Sequence, residues 1–346
     1  MTELTGWGRY PRRSSTLVEA RDAGALARLF APDAGAVLRG AGRAYGDAAI
    51  GERLTVDARP LDRFIAFDRA AGRLSVEAGV MLADVLEACV PRGYFPPVVP
   101  GTKFVTIGGM IAADVHGKNH HRDGGFGAHV EELTLLTPTG ERVTCSPTRN
   151  AELFEATVGG MGLTGAILDA TFRLRPIETG WMRQTTHVAG DLDAALALLE
   201  RTDESTYVVA WIDCLACGAS LGRSLIFAAE HATRAEIEQM KPGAPSYPRV
   251  RGGRLAAPFD LPSFALSRPT VSAFNEVYFR AGARKAGAPF LVSWDPYFFP
   301  LDSISGWNRM YGRRGFVQHQ CVLPKDRARD VLAETLERVS RRGVAS

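Results

Sequence analysis

The sequence predicts an α+β protein of two domains. At 346 residues the chain is longer than one hydrophobic core usually serves. The second part of the chain reads as strand, helix, strand and strand, then a long insertion, then strand and helix, an α+β order. A composition change near Pro176–Gly180 divides it into residues 1–178 and 179–346.

Composition narrows the function classes. Hydrophobic residues at 46% and charged residues at 23% describe an ordinary folded chain. A dispersed net charge of +3 excludes a nucleic-acid surface. No apolar run reaches the roughly 18 residues of a membrane span. The N-terminus, MTELTGWGRYPRRSS, lacks the apolar core of a secretion signal. Cys89, Cys145, Cys214, Cys217 and Cys321 are odd in number and scattered, which predicts reduced thiols in the cytoplasm.

In the first domain, Ala25, Leu26, Leu29 and Phe30 have helical spacing within residues 22–31. Short strands are expected at Ala36–Leu38, Leu54–Asp57, Phe64–Asp68 and Leu74–Ala78, the last two joined by a turn at Gly72. A helix over Met81–Val90 stops before Pro91 and Gly93. Leu133–Thr137 and Arg142–Cys145 read as a hairpin about Pro138-Thr139-Gly140. Asn150 is placed to cap the helix AELFEATV, with Glu152 and Glu155 in its early turns. A glycine turn and a strand follow.

The second domain reads as strand Gln184–Val188, helix Leu192–Arg201, strand Thr206–Asp213 and strand Leu221–Glu230. A basic Pro/Gly-rich segment, Lys241 to Pro262, carries Arg249, Arg251 and Arg254. It is either a solvated loop or a lid that meets an anionic substrate. Helix Val271–Lys285, a Trp/Phe/Pro patch at 290–300, strand Gly315–Leu323 and helix Asp326–Arg341 complete the chain.

The chemistry centres on Val99–His121, VPGTKFVTIGGMIAADVHGKNHH. Glycines allow close backbone approach to a ligand. A helical turn opening at Thr106-Ile107-Gly108-Gly109 is expected to point free N–H groups at whatever lies before it. The stretch therefore reads as a wall against a flat, partly anionic ligand, taken to be a flavin, with His116 and Lys118 at one end. Arg39-Gly40-Ala41-Gly42-Arg43-Ala44-Tyr45-Gly46-Asp47 suits a diphosphate, because consecutive amides in a glycine nest can meet its charge. Gly160-Met161-Gly162-Leu163-Thr164-Gly165 fits G-x-G-x-x-G, but a helix precedes it and a strand-like run follows. A dinucleotide fingerprint needs the reverse order. No metal site is expected: adjacent histidines beside Asp114 and His116 lack a helical frame, and Cys214-Leu-Ala-Cys217 has no second pair. Trp211, Trp294 and Trp307 are core residues by base rate.

LTGWGR (4–9), RGAGRAYGD (39–47), the 99–121 stretch, ELFEATVGGMGLTGAI (152–167) and GWNRMYGRRGFVQHQ (306–320) occur in order along nearly the whole chain. With these motifs the chain resembles the flavin-dependent decaprenylphosphoryl-β-D-ribose 2′-oxidase family, within the vanillyl-alcohol-oxidase (PCMH-type) FAD-binding superfamily. The resemblance implies a PCMH-type FAD-binding domain followed by an antiparallel-sheet substrate domain, with FAD bound noncovalently. The cofactor residues it implies are 39–46, Pro100, Gly101, Thr102, Thr106, Gly108, Gly109, Ala112, Gly160, Gly162, Gly165 and Ile167. The substrate residues it implies are Tyr45, Trp211, Arg309, Gln318 and Gln320, with Phe298 where the family has tyrosine and Tyr297 adjacent. His116 and Lys118 are the candidates for chemistry, and Lys118 with Arg309 for the substrate phosphate.

The implied reaction is oxidation of the 2′-hydroxyl of a polyprenyl-phosphate ribose, with a short-chain reductase as partner completing an epimerisation. A peripheral contact with the inner membrane follows from such a substrate. An alditol or aldonolactone oxidase and a non-catalytic flavin-binding fragment are the alternatives. The family continues beyond this C-terminus by a domain-scale segment that holds a lysine near the flavin. On that reading the substrate domain is incomplete, and the chain would bind FAD weakly, turn over no sugar and associate through an exposed sheet edge.

Overall fold

A computed structural model describes residues 1–30, 35–249 and 255–343. The chain divides into two compact units. The first is Met1–Ile177 with Phe298–Ser303 and Arg314–Gln318; the second is Glu178–Tyr297 with Ile304–Arg313 and His319–Ser346.

The first unit opens with strands β1 (Thr2–Thr5) and β2 (Arg12–Glu19), helix α1 (Ala23–Leu29), and strands β3 (Ala36–Arg39) and β4 (Leu54–Asp57). They form a sheet in the order β1-β2-β4-β3, with β1 antiparallel to β2 and both β2 and β3 parallel to β4. Asp22 starts α1 by accepting a hydrogen bond from the Ala25 amide at 2.7 Å.

A second sheet uses β5 (Phe64–Asp68), β6 (Arg73–Glu77), β8 (Val130–Leu136), β9 (Arg142–Cys145) and β10 (Ala166–Arg173). Its order is β5-β6-β10-β8-β9, antiparallel throughout. Between β6 and β8 the chain adds α2 (Leu82–Cys89), a short β7 (Tyr94–Phe95), α3 (Ile107–Ala112) and α4 (His120–Asp123). Helix α5 (Ala151–Thr157) precedes β10, and β11 (Arg175–Pro176) pairs with β7. Leu26, Val56 and Leu61 pack with Leu136, Ala166 and Leu168 in one buried cluster, which joins the two sheets.

The second unit is built on β12 (Trp181–Ala189), β13 (Tyr207–Ile212), β14 (Ser224–His231) and β16 (Phe290–Ser293), antiparallel in the order β13-β14-β12-β16. Helices α6 (Leu192–Arg201), α7 (Arg234–Met240) and α8 (Arg268–Ala283) accompany it, and β15 (Leu255–Ala256) pairs with β17 (Ile304–Ser305). Helix α9 (Trp294–Phe298) follows β16. Helix α10 (Lys325–Arg342) is tied to α6 by a two-pronged pair from Arg329 to Asp193, at 3.0 and 3.1 Å.

Two expectations are corrected. Residues 315–323 form no strand: they run irregularly, with Val317 and Val322 exposed, because no neighbouring strand offers them a ladder. The fourth strand of that sheet is β16 instead. Asn150 stands at the α5 N-cap position but makes no capping bond; its side chain donates to the Thr144 carbonyl. Strands β1 and β2 and helix α7 carried no expectation. No helix among the described residues is long and apolar enough to cross a membrane.

Candidate active site

Helix α3 is the centre of the first unit's glycine-rich region. It spans six residues, too few to be stable alone, so its surroundings hold it. Thr106 caps it, its Oγ1 accepting from the Gly109 amide at 3.2 Å. The Ile107 amide donates to Val80 O at 2.9 Å and the Gly108 amide to Ala78 O at 2.8 Å. These three N–H groups are therefore engaged within the protein. This corrects the expectation of free donors at this helix start. Gly108 lies so close to Ala78 that an added Cβ would stand 2.8 Å from the alanine methyl.

The far end of α3 is held by the glycine turn. The Gly159 amide donates to Ile111 O at 3.0 Å and the Met161 amide to Ala112 O at 2.8 Å. The turn runs from α5 directly into β10, so the arrangement that rejects a dinucleotide fingerprint is present. Gly160 and Gly165 pack on backbone carbonyls, of Ala156 and Leu136. Gly162, at φ +81°, has open space where a Cβ would stand. Ile167 is buried in β10.

The 39–47 loop behaves differently. The amides of Ala41, Gly42, Arg43 and Ala44 make no hydrogen bond to another described residue. Gly42 and Gly46 sit at φ +65° and +67°, which lets the chain curl. Gly40 is pressed against Thr106, where a Cβ would collide with the hydroxyl. Arg39 faces inward: Nη2 donates to Thr5 O at 2.8 Å, and burial lowers its pKa. Its role is to brace the loop. The Arg43 guanidinium lies 3.7 Å from the Trp7 ring centroid and 5.4 Å from that of Phe104. Burial lowers its pKa too, and its buried Nε has no hydrogen-bond partner among the described residues. The Tyr45 ring stands edge-on to Phe316, centroids 5.6 Å apart, and the Phe316 amide donates to Gly8 O at 2.7 Å.

The loop from Pro100 to Thr106 is fastened from far along the chain. The Asp302 carboxylate accepts from Thr102 Oγ1 at 2.7 Å and from the Lys103 amide at 2.8 Å. Burial nonetheless raises the Asp302 pKa, since desolvation outweighs those bonds. Gly101, just before, is exposed, and nothing lies within 4 Å of where a Cβ would stand.

The 116–121 loop hangs on Asn119. Its buried Nδ2 donates to Pro97 O at 2.7 Å and to Asp123 Oδ2 at 2.6 Å, and Asp123 in turn pairs with Arg175 at 2.7 Å. His116 is exposed, with its ring 5.5 Å from that of His120. Lys118 is half-buried, its Nζ 5.8 Å from the Phe298 centroid. Burial pulls its ammonium down to a pKa of about 8. Phe298 is fully buried and packs on Phe95 at 5.0 Å. No group of His, Cys, Asp and Glu among the described residues could hold a metal ion.

Three expected substrate residues belong to the second unit. Trp211, on β13, tilts against Tyr278 at 4.9 Å. Arg309 is already engaged: Nε donates to Asp260 at 3.2 Å and Nη1 to Ala257 O at 3.2 Å. Gln320 is exposed on irregular backbone, as is Gln318 in the first unit. Of the basic lid, Arg251 and Arg254 lie outside the described residues. Sequence reasoning missed Asp302, Phe104 and Asn119, which brace the loops.

Four consecutive amides that meet no acceptor among the described residues, at a loop that glycines curl and beside a buried guanidine nitrogen likewise unpartnered among them, fit the oxygens of a diphosphate. Residues 23–146 match the family model of an FAD binding domain. The chain is 35% identical over 335 residues to the decaprenylphosphoryl-beta-D-ribose oxidase of Mycolicibacterium smegmatis, covering 93% of this chain and 72% of the relative. A Streptomyces coelicolor protein from the mprA 5′ region is 32% identical over 77% of this chain and 73% of its own length. L-gulonolactone oxidase of Scyliorhinus torazame is 29% identical over 45% of this chain and 36% of its own. FAD is the cofactor, and the fold is of the PCMH type. A match sustained through both units settles the kinship: this chain belongs to the FAD-dependent oxidoreductase family of decaprenylphosphoryl-β-D-ribose oxidase.

Proposed function

We propose that this oxidoreductase converts a secondary sugar hydroxyl to a ketone, and that its substrate is a polyprenyl-phosphate pentose oxidised at the 2′ position. The supporting observation is the extent of likeness: the relative named for decaprenylphosphoryl-β-D-ribose matches 93% of the chain, whereas the lactone oxidase matches 45%.

Bound FAD supplies the two-electron acceptor. The 41–44 amides would meet its diphosphate, with α3 and the glycine turn as the wall beside it. The flavin is held noncovalently. Lys118, with a pKa of about 8, is mostly charged at neutral pH and holds a substrate phosphate as a point charge. The same lowered value lets it exchange a proton with the hydroxyl near neutrality. His116 orients the sugar, Tyr45 shapes the space around it, and the buried Phe298 backs Lys118. A short-chain reductase would return the ketone to the epimeric alcohol. The enzyme works at the cytoplasmic side of the inner membrane, in peripheral contact with the leaflet that carries its substrate.

The test is dye reduction by the FAD-loaded protein with a short, water-soluble polyprenyl-phosphate ribose, run beside oxygen consumption with simple alditols and aldonolactones. Turnover confined to the second set overturns the substrate assignment. Flavin absorbance before and after denaturation tests the noncovalent attachment.

A further inference from the structure

Helix α8 buries Val271 and presses Gly282 on Leu225, yet it also keeps a polar network on that side. Its inward side carries Asn275, whose Nδ2 donates to Asp213 at 2.7 Å, and Glu276, which pairs with Arg223 at 2.7 Å. Arg223 also clasps Asp213 through Nε and Nη2, at 2.9 and 2.6 Å. The polar network thus lies beneath the helix. Its outward stripe is Ala273, Phe274, Val277 and Ala281, with Phe274 and Val277 exposed, while Tyr278 flanks the stripe and packs on Trp211 of β13. Phe274 is 60% exposed and Val277 68%. A surface helix of a globular protein turns such a stripe to the core. Phe264, shortly ahead of the helix, is exposed as well.

Cations mark the finish of this stripe, Arg280, Arg284 and Lys285, whereas Arg268 at the helix start lies against Gly343. The one carboxylate of the helix, Glu276, is already shared between Arg223 and Arg280. A second copy of the chain paired in parallel on this face would set each cation against itself. An apolar stripe with a basic end matches the interface of an anionic lipid layer, where side chains enter the acyl boundary and cations meet headgroups.

We propose that α8 is an interfacial helix that seats the second unit on an anionic lipid surface. This deepens the peripheral contact suggested above by naming the contact surface, and it can fail without the chemistry failing.

The experiment is co-sedimentation of the FAD-loaded full chain with phosphatidylcholine vesicles, with and without phosphatidylglycerol. The wild-type protein should pellet with the anionic vesicles and be released by salt. Phe274→Ser with Val277→Ser should cut binding by about tenfold or more, as should Arg284→Glu with Lys285→Glu. Flavin content and far-UV circular dichroism should stay unchanged. Wild-type protein that remains in the supernatant, or variants that bind equally, would overturn the proposal. So would a wild-type dimer, seen by sedimentation velocity, that Phe274→Ser with Val277→Ser abolishes. Turnover of the water-soluble substrate needs no vesicle, so its loss or retention reports on the oxidation alone.

Discussion

Asp302 reaches back two hundred residues to Thr102 and accepts its hydroxyl hydrogen at 2.7 Å, while also taking the neighbouring Lys103 amide. A loop of the glycine-rich region is therefore closed by a residue from the far part of the chain. Asp302→Ala removes both acceptors. Hydrogen bonds to a charged group are worth about 1.5–3 kcal/mol, so stability should fall by roughly that amount. Urea unfolding measures the loss, and flavin content should drop with it. An unchanged midpoint would mean that the loop keeps its shape without this clasp.

Gly42→Val should release FAD and leave the far-UV spectrum intact. At φ +65° a side chain is strained, and the new Cβ would stand 2.5 Å from Arg39 Nη2. Arg39 would have to leave Thr5, and the 41–44 amides would turn with it. Full flavin retention at saturating FAD sinks the diphosphate assignment for this loop.

Lys118 predicts a pH signature. Burial lowers its pKa from 10.5 to about 8, so between those values the unfolded chain holds more protons than the folded one. Stability from this group rises with pH across that window. Lys118→Met should be the more stable protein near neutrality, by no more than about 3 kcal/mol, with the advantage shrinking as pH climbs. Parallel stability curves for the two proteins would refute the buried ammonium.

Lys118→Ala should also weaken phosphorylated substrates selectively. Losing one charge-assisted contact costs about 1.5–3 kcal/mol, or roughly ten- to a hundredfold in affinity. Flavin content should hold constant. If the apparent affinity is unchanged, the lysine only packs against Phe298.

Much of this molecule was legible wherever one face is buried and the other is not. Helix α6 follows its periodicity, and its start at Asp191 is a capping bond to Ala194 at 2.8 Å. Strand β2 was silent because most of its residues are exposed, leaving no alternation to read. Helix α7 carried a readable signal, Thr233 with Glu236 three residues later, and the structure makes both bonds of that capping box. Residues 315–323 misled, since alternation promises a strand only if a neighbour supplies the ladder. The α3 amides could not be assigned from sequence: their acceptors, Ala78 and Val80, lie about thirty residues earlier, just past β6. The same distance hides Asp302 behind an ordinary surface composition.

The double tether on α3 bears on how the cofactor is loaded. Its first turn is hung from Ala78 and Val80, and its last carbonyls are gripped by Gly159 and Met161. A one-and-a-half-turn helix fixed at both ends has no slack to take up, so if it walls the flavin as proposed, it stands preorganised before FAD arrives. Little ordering entropy then remains for FAD to overcome there. Stopped-flow mixing of apoprotein with FAD should give a single phase whose rate climbs linearly with concentration, and amide exchange within α3 should be as slow before loading as after.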